Sequence, residues 1–107
     1  MRRGDIVTVA LQGDNGKPRP AVIVQADAFD RIERLFIIPL TSDIAETPYY
    51  RVNIEPSENS GLRARSQVML DRMTNTPRSK IGSVIGHIDR ETMQEIDRLL
   101  AIIVGIA

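Results

Sequence analysis

Asp89-Arg90-Glu91-Thr92-Met93-Gln94-Glu95-Ile96-Asp97-Arg98-Leu99-Leu100-Ala101-Ile102-Ile103 is where the periodicity of this chain changes. Met93, Ile96, Leu100 and Ile103 recur at helical spacing. Asp89 is placed to cap a helix, and Glu91 sits in the first turn, where the helix dipole favours negative charge. Upstream the pattern is that of strands. Val7, Val9 and Leu11 share one face with Thr8 on the other, the period of a half-buried strand. Ala21 to Val24 and Leu35 to Leu40 are short apolar runs with Pro20 at the start of the first. Tyr50, Val52 and Ile54 alternate with Arg51 and Asn53, and Gln67 to Leu70 and Ile81 to Ile88 add two more strands. The last contains Gly82 and Gly86, a pattern expected where another backbone approaches closely. Gln12 to Pro18 and Glu55 to Gly61 are turn and loop compositions, and Asp27 to Glu33 is a polar connection with room for one helical turn. Short strands followed by one terminal amphipathic helix predict a mainly β fold, a small antiparallel barrel whose open side the helix covers.

The 107 residues, 42% of them apolar, fit one domain spanning 1–107. A chain of this size hides roughly two-thirds of its extended surface on folding and needs no covalent staple. It has none: without cysteine, disulfides, thiolate zinc sites and a cysteine nucleophile are excluded. One histidine, His87, and the scattered carboxylates Asp43, Glu58 and Asp71 offer no metal-ligand spacing, so no cofactor is expected. His87, just ahead of the helix cap, is read as a packing or locally bonded residue. No apolar stretch approaches the roughly 20 residues of a membrane span, and the start runs directly into a strand, which predicts a cytosolic chain beginning at Met1. Fourteen basic residues balance fourteen acidic ones, so any polyanion site must be a local patch.

Arg3-Gly4-Asp5-Ile6-Val7, Arg19-Pro20-Ala21-Val22-Ile23-Val24 and Ile38-Pro39-Leu40-Thr41-Ser42 stand in an order and spacing that resemble the MazF/PemK-type toxins. Val68-Met69-Leu70-Asp71, Lys80-Ile81-Gly82 and Ile85-Gly86-His87-Ile88 carry the likeness through to the terminal helix. The resemblance implies an SH3-like barrel of the CcdB/PemK type, a homodimer that cuts single-stranded RNA at short sequences. It also implies silencing by a cognate MazE/PemI-like antitoxin, a short acidic chain competing with RNA for a basic groove. The chemistry implied uses the substrate's 2′-hydroxyl as nucleophile, leaving a 2′,3′-cyclic phosphate and a 5′-hydroxyl without a metal. An internal nucleophile next to the phosphorus gains its rate from proximity and charge stabilisation.

Arg19, fixed between Pro18 and Pro20, offers a permanently charged fork for phosphate oxygens; unaided, its residues also fit a solvated loop arginine, and the resemblance decides for the site. Thr41 ends an apolar strand where its hydroxyl could donate to a phosphate oxygen or make a local turn bond. Asp71 matches the aspartate that the PemK/Kid branch uses as general base; the alternative is a carboxylate paired with Arg72 or Arg65. Arg19, Thr41 and Asp71 are thus the expected catalytic set, with Lys17, Ser42, Tyr49 and Arg72 as RNA contacts. Tyr49 is the candidate for stacking on a base, whereas Tyr50 falls on the apolar face.

The sequence departs from the family pattern at Met69, where the PemK/Kid branch has arginine. Arg72 stands where MazF-like members usually have glutamine, and the first loop is short and lacks a histidine. These departures leave the proton donor and the cleaved sequence open. Met69 and Arg72 also motivate one competing reading, a degenerate toxin without catalysis; the barrel shared with CcdB-like toxins motivates another, a gyrase poison acting through its terminus, against which Arg19 and Thr41 argue.

Overall fold

The computed structural model describes residues 1–11, 17–46 and 49–107. Seven strands and one helix follow one another: β1 Asp5–Ala10, β2 Pro18–Ile23, β3 Arg34–Thr41, β4 Arg51–Ile54, β5 Ser66–Met69, β6 Thr74–Pro77, β7 Ile81–His87 and α1 Arg90–Ile103. Single 3₁₀ turns lie at Asp27–Phe29, Leu70–Arg72 and Arg78–Lys80. The expected turn at 12–18 falls mostly on residues 12–16, outside the described residues.

All pairings are antiparallel, in the order β4-β5-β3-β2-β1-β7, with β6 also on β3. β3 is the hub. Its first half pairs with β6 up to Ile37↔Thr74, and its end pairs with β5 from Leu40↔Val68. Pro39, which has no N–H to donate, stands between those two ladders, so a proline is accommodated in a central strand. On the other side, β2 pairs with β3 only from Ala21 onward. Pro18 to Pro20 therefore lie on a one-sided edge where prolines break no bond.

The central strands bury both faces. Ile6, Val22, Ile38, Leu40 and Val68 form one core with Ile96 and Leu99 of the helix, and Val7, Val9, Ala21, Ile23, Leu35 and Ile37 form a second. This corrects the half-buried reading of β1, since Ile6 is as buried as Val7. It also rotates the helix stripe: Ile96 and Leu99 are the buried residues, Met93 and Leu100 flank them, and Ile103 is exposed. Asp89 caps α1 as expected, its carboxylate accepting from the Thr92 N–H at 2.7 Å. That backbone hydrogen bond holds its carboxyl below the usual aspartate range. Among the described residues no helix is long and apolar enough to cross a membrane.

The loop after β4 joins the far end of the sheet to β7. The His87 N–H donates to the Asn59 carbonyl at 2.8 Å. Beside this bond the two backbones touch with no room for a side chain. A Cβ on Gly86 would lie 2.3 Å from Ser60 backbone atoms, and one on Gly61, whose φ is +68°, 1.9 Å from the Ile85 carbonyl oxygen. The glycine expected to mark a close backbone approach does so. Gly86→Ala forces that crossing apart and is expected to cost about 1–3 kcal/mol or more. The melting temperature should fall by roughly 4 °C or more.

Candidate functional site

An open groove of about 1180 Å³ runs between the start of β2, the end of β3, the loop after β4 and the turn after β5. It exceeds the roughly 300–1,000 Å³ of pockets that enclose a small molecule, so it suits an extended ligand. Among the described residues, Lys17, Arg19, Arg63 and Arg72 line it against one carboxylate, Asp43. A chain of balanced charge has concentrated cations where they face one another, the arrangement that binds a polyanion. A smaller cavity of about 290 Å³ lies elsewhere, beneath the N-terminus of α1. It is lined by Glu55, Asp89 and His87, a charge set unsuited to phosphate.

Five of the seven residues expected from the sequence line the groove: Lys17, Arg19, Thr41, Ser42 and Arg72. Arg19 is carried by β2 opposite Val9, so its backbone is fixed by the ladder as well as by its proline neighbours. Thr41 ends β3, and its Oγ1 accepts the Asp43 N–H at 3.1 Å. The local turn bond and the site role coexist, because a hydroxyl that accepts can still donate its own proton to a phosphate oxygen. Ser42 is the exposed corner of that turn.

Two expected residues do not line the groove. Tyr49 is exposed on 80% of its surface but lies outside the lining set. Asp71 is exposed on the 3₁₀ turn Leu70–Arg72 and also lies outside it. In such a turn successive side chains point about 120° apart. Leu70 enters the core and Arg72 faces the groove, which leaves Asp71 toward solvent. Among the described residues no ion pair joins Asp71 to Arg72 or Arg65, and Arg65 bonds Glu55 at 2.9 Å.

Arg63 and the groove role of Asp43 escaped the sequence reading. A loop arginine beyond Gly61 carries only a generic charge signal. What turns it toward the groove is the tertiary crossing of that loop over β7.

The sequence profile of the PemK-like, MazF-like toxins of type II toxin-antitoxin systems matches residues 2–104. The chain belongs to that family. Among its family relatives, a protein named probable endoribonuclease MazF from Mycolicibacterium smegmatis is 40% identical over 108 residues, covering 100% of this chain and 99% of the relative. A mycobacterial endoribonuclease solved in complex with its cognate antitoxin superposes with a TM-score of 0.83 at 22% identity, over 100% of this chain and 97% of that one. The Mycobacterium tuberculosis toxin MazF-mt6 gives 0.82 at 18% identity, over 96% and 98%. These likenesses place the chain in the PemK/MazF fold, the mainly antiparallel sheet with one C-terminal helix expected from the change in periodicity.

Proposed function

We propose that this chain, acting as one domain over residues 1–107, is the toxin of a type II toxin–antitoxin pair and a sequence-specific endoribonuclease for single-stranded RNA. The observation that carries the reading is the groove: in a family member 40% identical to a probable endoribonuclease over its full length, Arg19, Thr41, Ser42, Lys17 and Arg72 converge on one cationic surface. Arg19 holds the scissile phosphate and stabilises the charge of the transition state. Thr41 donates to a non-bridging oxygen, and Lys17, Ser42, Arg63 and Arg72 bind flanking phosphates and sugars. Tyr49, exposed on the surface outside the groove lining, is assigned to base stacking. The 2′-hydroxyl attacks the adjacent phosphorus, giving a 2′,3′-cyclic phosphate and a 5′-hydroxyl, and no step is routed through a metal or cofactor.

A carboxylate suits the base that takes the 2′-hydroxyl proton, because a guanidinium holds its proton too tightly to accept another group's. Family resemblance assigns that role to Asp71, whereas the groove wall offers Asp43. Asparagine substitutions separate the two readings. Substitution of the residue that acts as base should cost roughly 10²–10⁴-fold in the rate of RNA cleavage, and the other variant should stay near wild type. Wild-type activity in both variants would remove general-base catalysis by either residue.

The same reading gives the chain a cytoplasmic place of action, where its RNA is, a homodimeric assembly and an antitoxin partner. The exposed apolar side chains Ile102, Ile103, Val104 and Ile106 at the end of α1 support an assembly that covers them. A short acidic antitoxin laid across the cations of the groove would exclude RNA by occupying its phosphate sites.

A further inference from the structure

We propose that Gln67 is a positioning residue for the Thr41 turn, setting the hydroxyl at the distance from the scissile phosphate that cleavage needs; the inference rests on the ribonuclease reading. Gln67 lies in β5, opposite Thr41 on one side and Asn53 on the other. It is only 4% exposed, an unusual place for a primary amide. Its amide grips one residue of the returning chain by both backbone groups. Oε1 accepts the Ala45 N–H at 2.9 Å, and Nε2 donates to the Ala45 carbonyl at 2.9 Å. The remaining donor goes to Asn53 Oδ1 at 2.9 Å, and Oε1 also faces the Arg51 guanidinium at 3.4 Å. Both donors and both acceptor positions of the amide are thereby engaged.

The geometry is that of a strand partner supplied by a side chain. Donor and acceptor lie side by side, as in a peptide group, so Gln67 pairs with Ala45 as a neighbouring strand would. Thr41 is held by Gln67 through the strand register, and Ala45, four residues on, is held by the Gln67 side chain. The exposed segment between them, Ser42 to Ile44, is bridged inside by the Asp43 N–H to Thr41 Oγ1 bond. One residue thus fixes both ends of the turn that presents Thr41, Ser42 and Asp43 to the groove. Glutamate could keep the acceptor half of the grip, and leucine could keep neither half.

Gln67→Leu and Gln67→Glu test this because they remove different parts of the grip. Leucine loses every bond of the amide, whereas glutamate, its carboxylate beside the Arg51 guanidinium, keeps the Ala45 N–H bond of the turn. Displacement of a catalytic group by about 1 Å can cost up to 10²-fold, so kcat should fall roughly 10–100-fold in Gln67→Leu with KM little changed, and less in Gln67→Glu. Hydrogen exchange at the Ala45 amide should be at least about tenfold faster in Gln67→Leu than in wild type, whether or not RNA is cleaved.

A leucine variant with wild-type kcat, a leucine variant no more impaired in kcat than the glutamate variant, or unchanged exchange at Ala45 would each overturn the proposal. Should the leucine variant fail to fold, Gln67→Glu carries the test alone: a lowered kcat at unchanged KM supports it and an unchanged kcat overturns it. Wild-type protein that cleaves no RNA, with Ala45 exchange still governed by Gln67, would refute the ribonuclease reading and leave the clamp standing.

Discussion

Arg19→Ala loses roughly 10²–10³-fold in the rate of RNA cleavage, the effect of removing one charge-stabilising donor from a preorganised site. The expectation follows from where the residue stands. Arg19 is fixed in β2 by pairing with Val9 and flanked by two prolines, so its guanidinium is delivered to the groove by backbone that the rest of the sheet holds in place. Its side chain is exposed, so its removal opens no core cavity and the melting temperature should stay within about 1–2 °C of wild type. Single-turnover cleavage beside a thermal melt separates the two quantities. Arg19→Lys is the sharper control: it retains the charge and loses the planar fork, and should recover only part of the rate if bidentate contact with phosphate is what matters. Full activity in Arg19→Ala would move the phosphate-binding role to Arg63 or Arg72.

An RNA carrying a single 2′-deoxy nucleotide at the cleaved position should bind with near-normal affinity and not be cut. The nucleophile is part of the substrate. Its removal deletes the reaction, while the phosphates that the cationic groove holds remain. Binding by fluorescence anisotropy and cleavage on a gel read the two halves separately. Cleavage of the deoxy substrate would require an external nucleophile and a different mechanism.

Much of this fold is legible in the residues because hydrophobic period reports burial directly. Five strand segments alternate or run apolar, the helix announces itself at Asp89, and Gly86 of β7 marks a backbone contact, whereas Gly82 faces the Thr8 side chain. What escaped has physical causes. Thr74–Pro77 has no apolar alternation, and it is a strand because β3 offers it a ladder. Leu99 rather than Ile103 joins Ile96 in the core because the middle of the helix packs on the core and its last turn is exposed.

The site divides the same way. Arg19 and Thr41 stand at strand ends, where the backbone path is predictable from its neighbours. Arg72 and Asp71 are adjacent in sequence, and a 3₁₀ turn sends them in different directions, which no pattern of residue types reveals. Arg63 faces the groove only because its loop crosses β7 at Gly61 and Gly86. Gln67 gives no local signal at all, since its importance lies in a contact with Ala45, 22 residues away.

The central claim is that the cationic groove cuts RNA through the substrate's own hydroxyl. Its most direct test is incubation of the purified protein with mixed-sequence RNA in excess chelator, beside Arg19→Ala, with the new 5′ ends mapped and tested for a free hydroxyl. The account predicts cleavage at recurring short sites with 5′-hydroxyl ends, strongly reduced in the variant. Intact RNA after incubation with a folded wild-type protein, or ends bearing a 5′-phosphate, would contradict it.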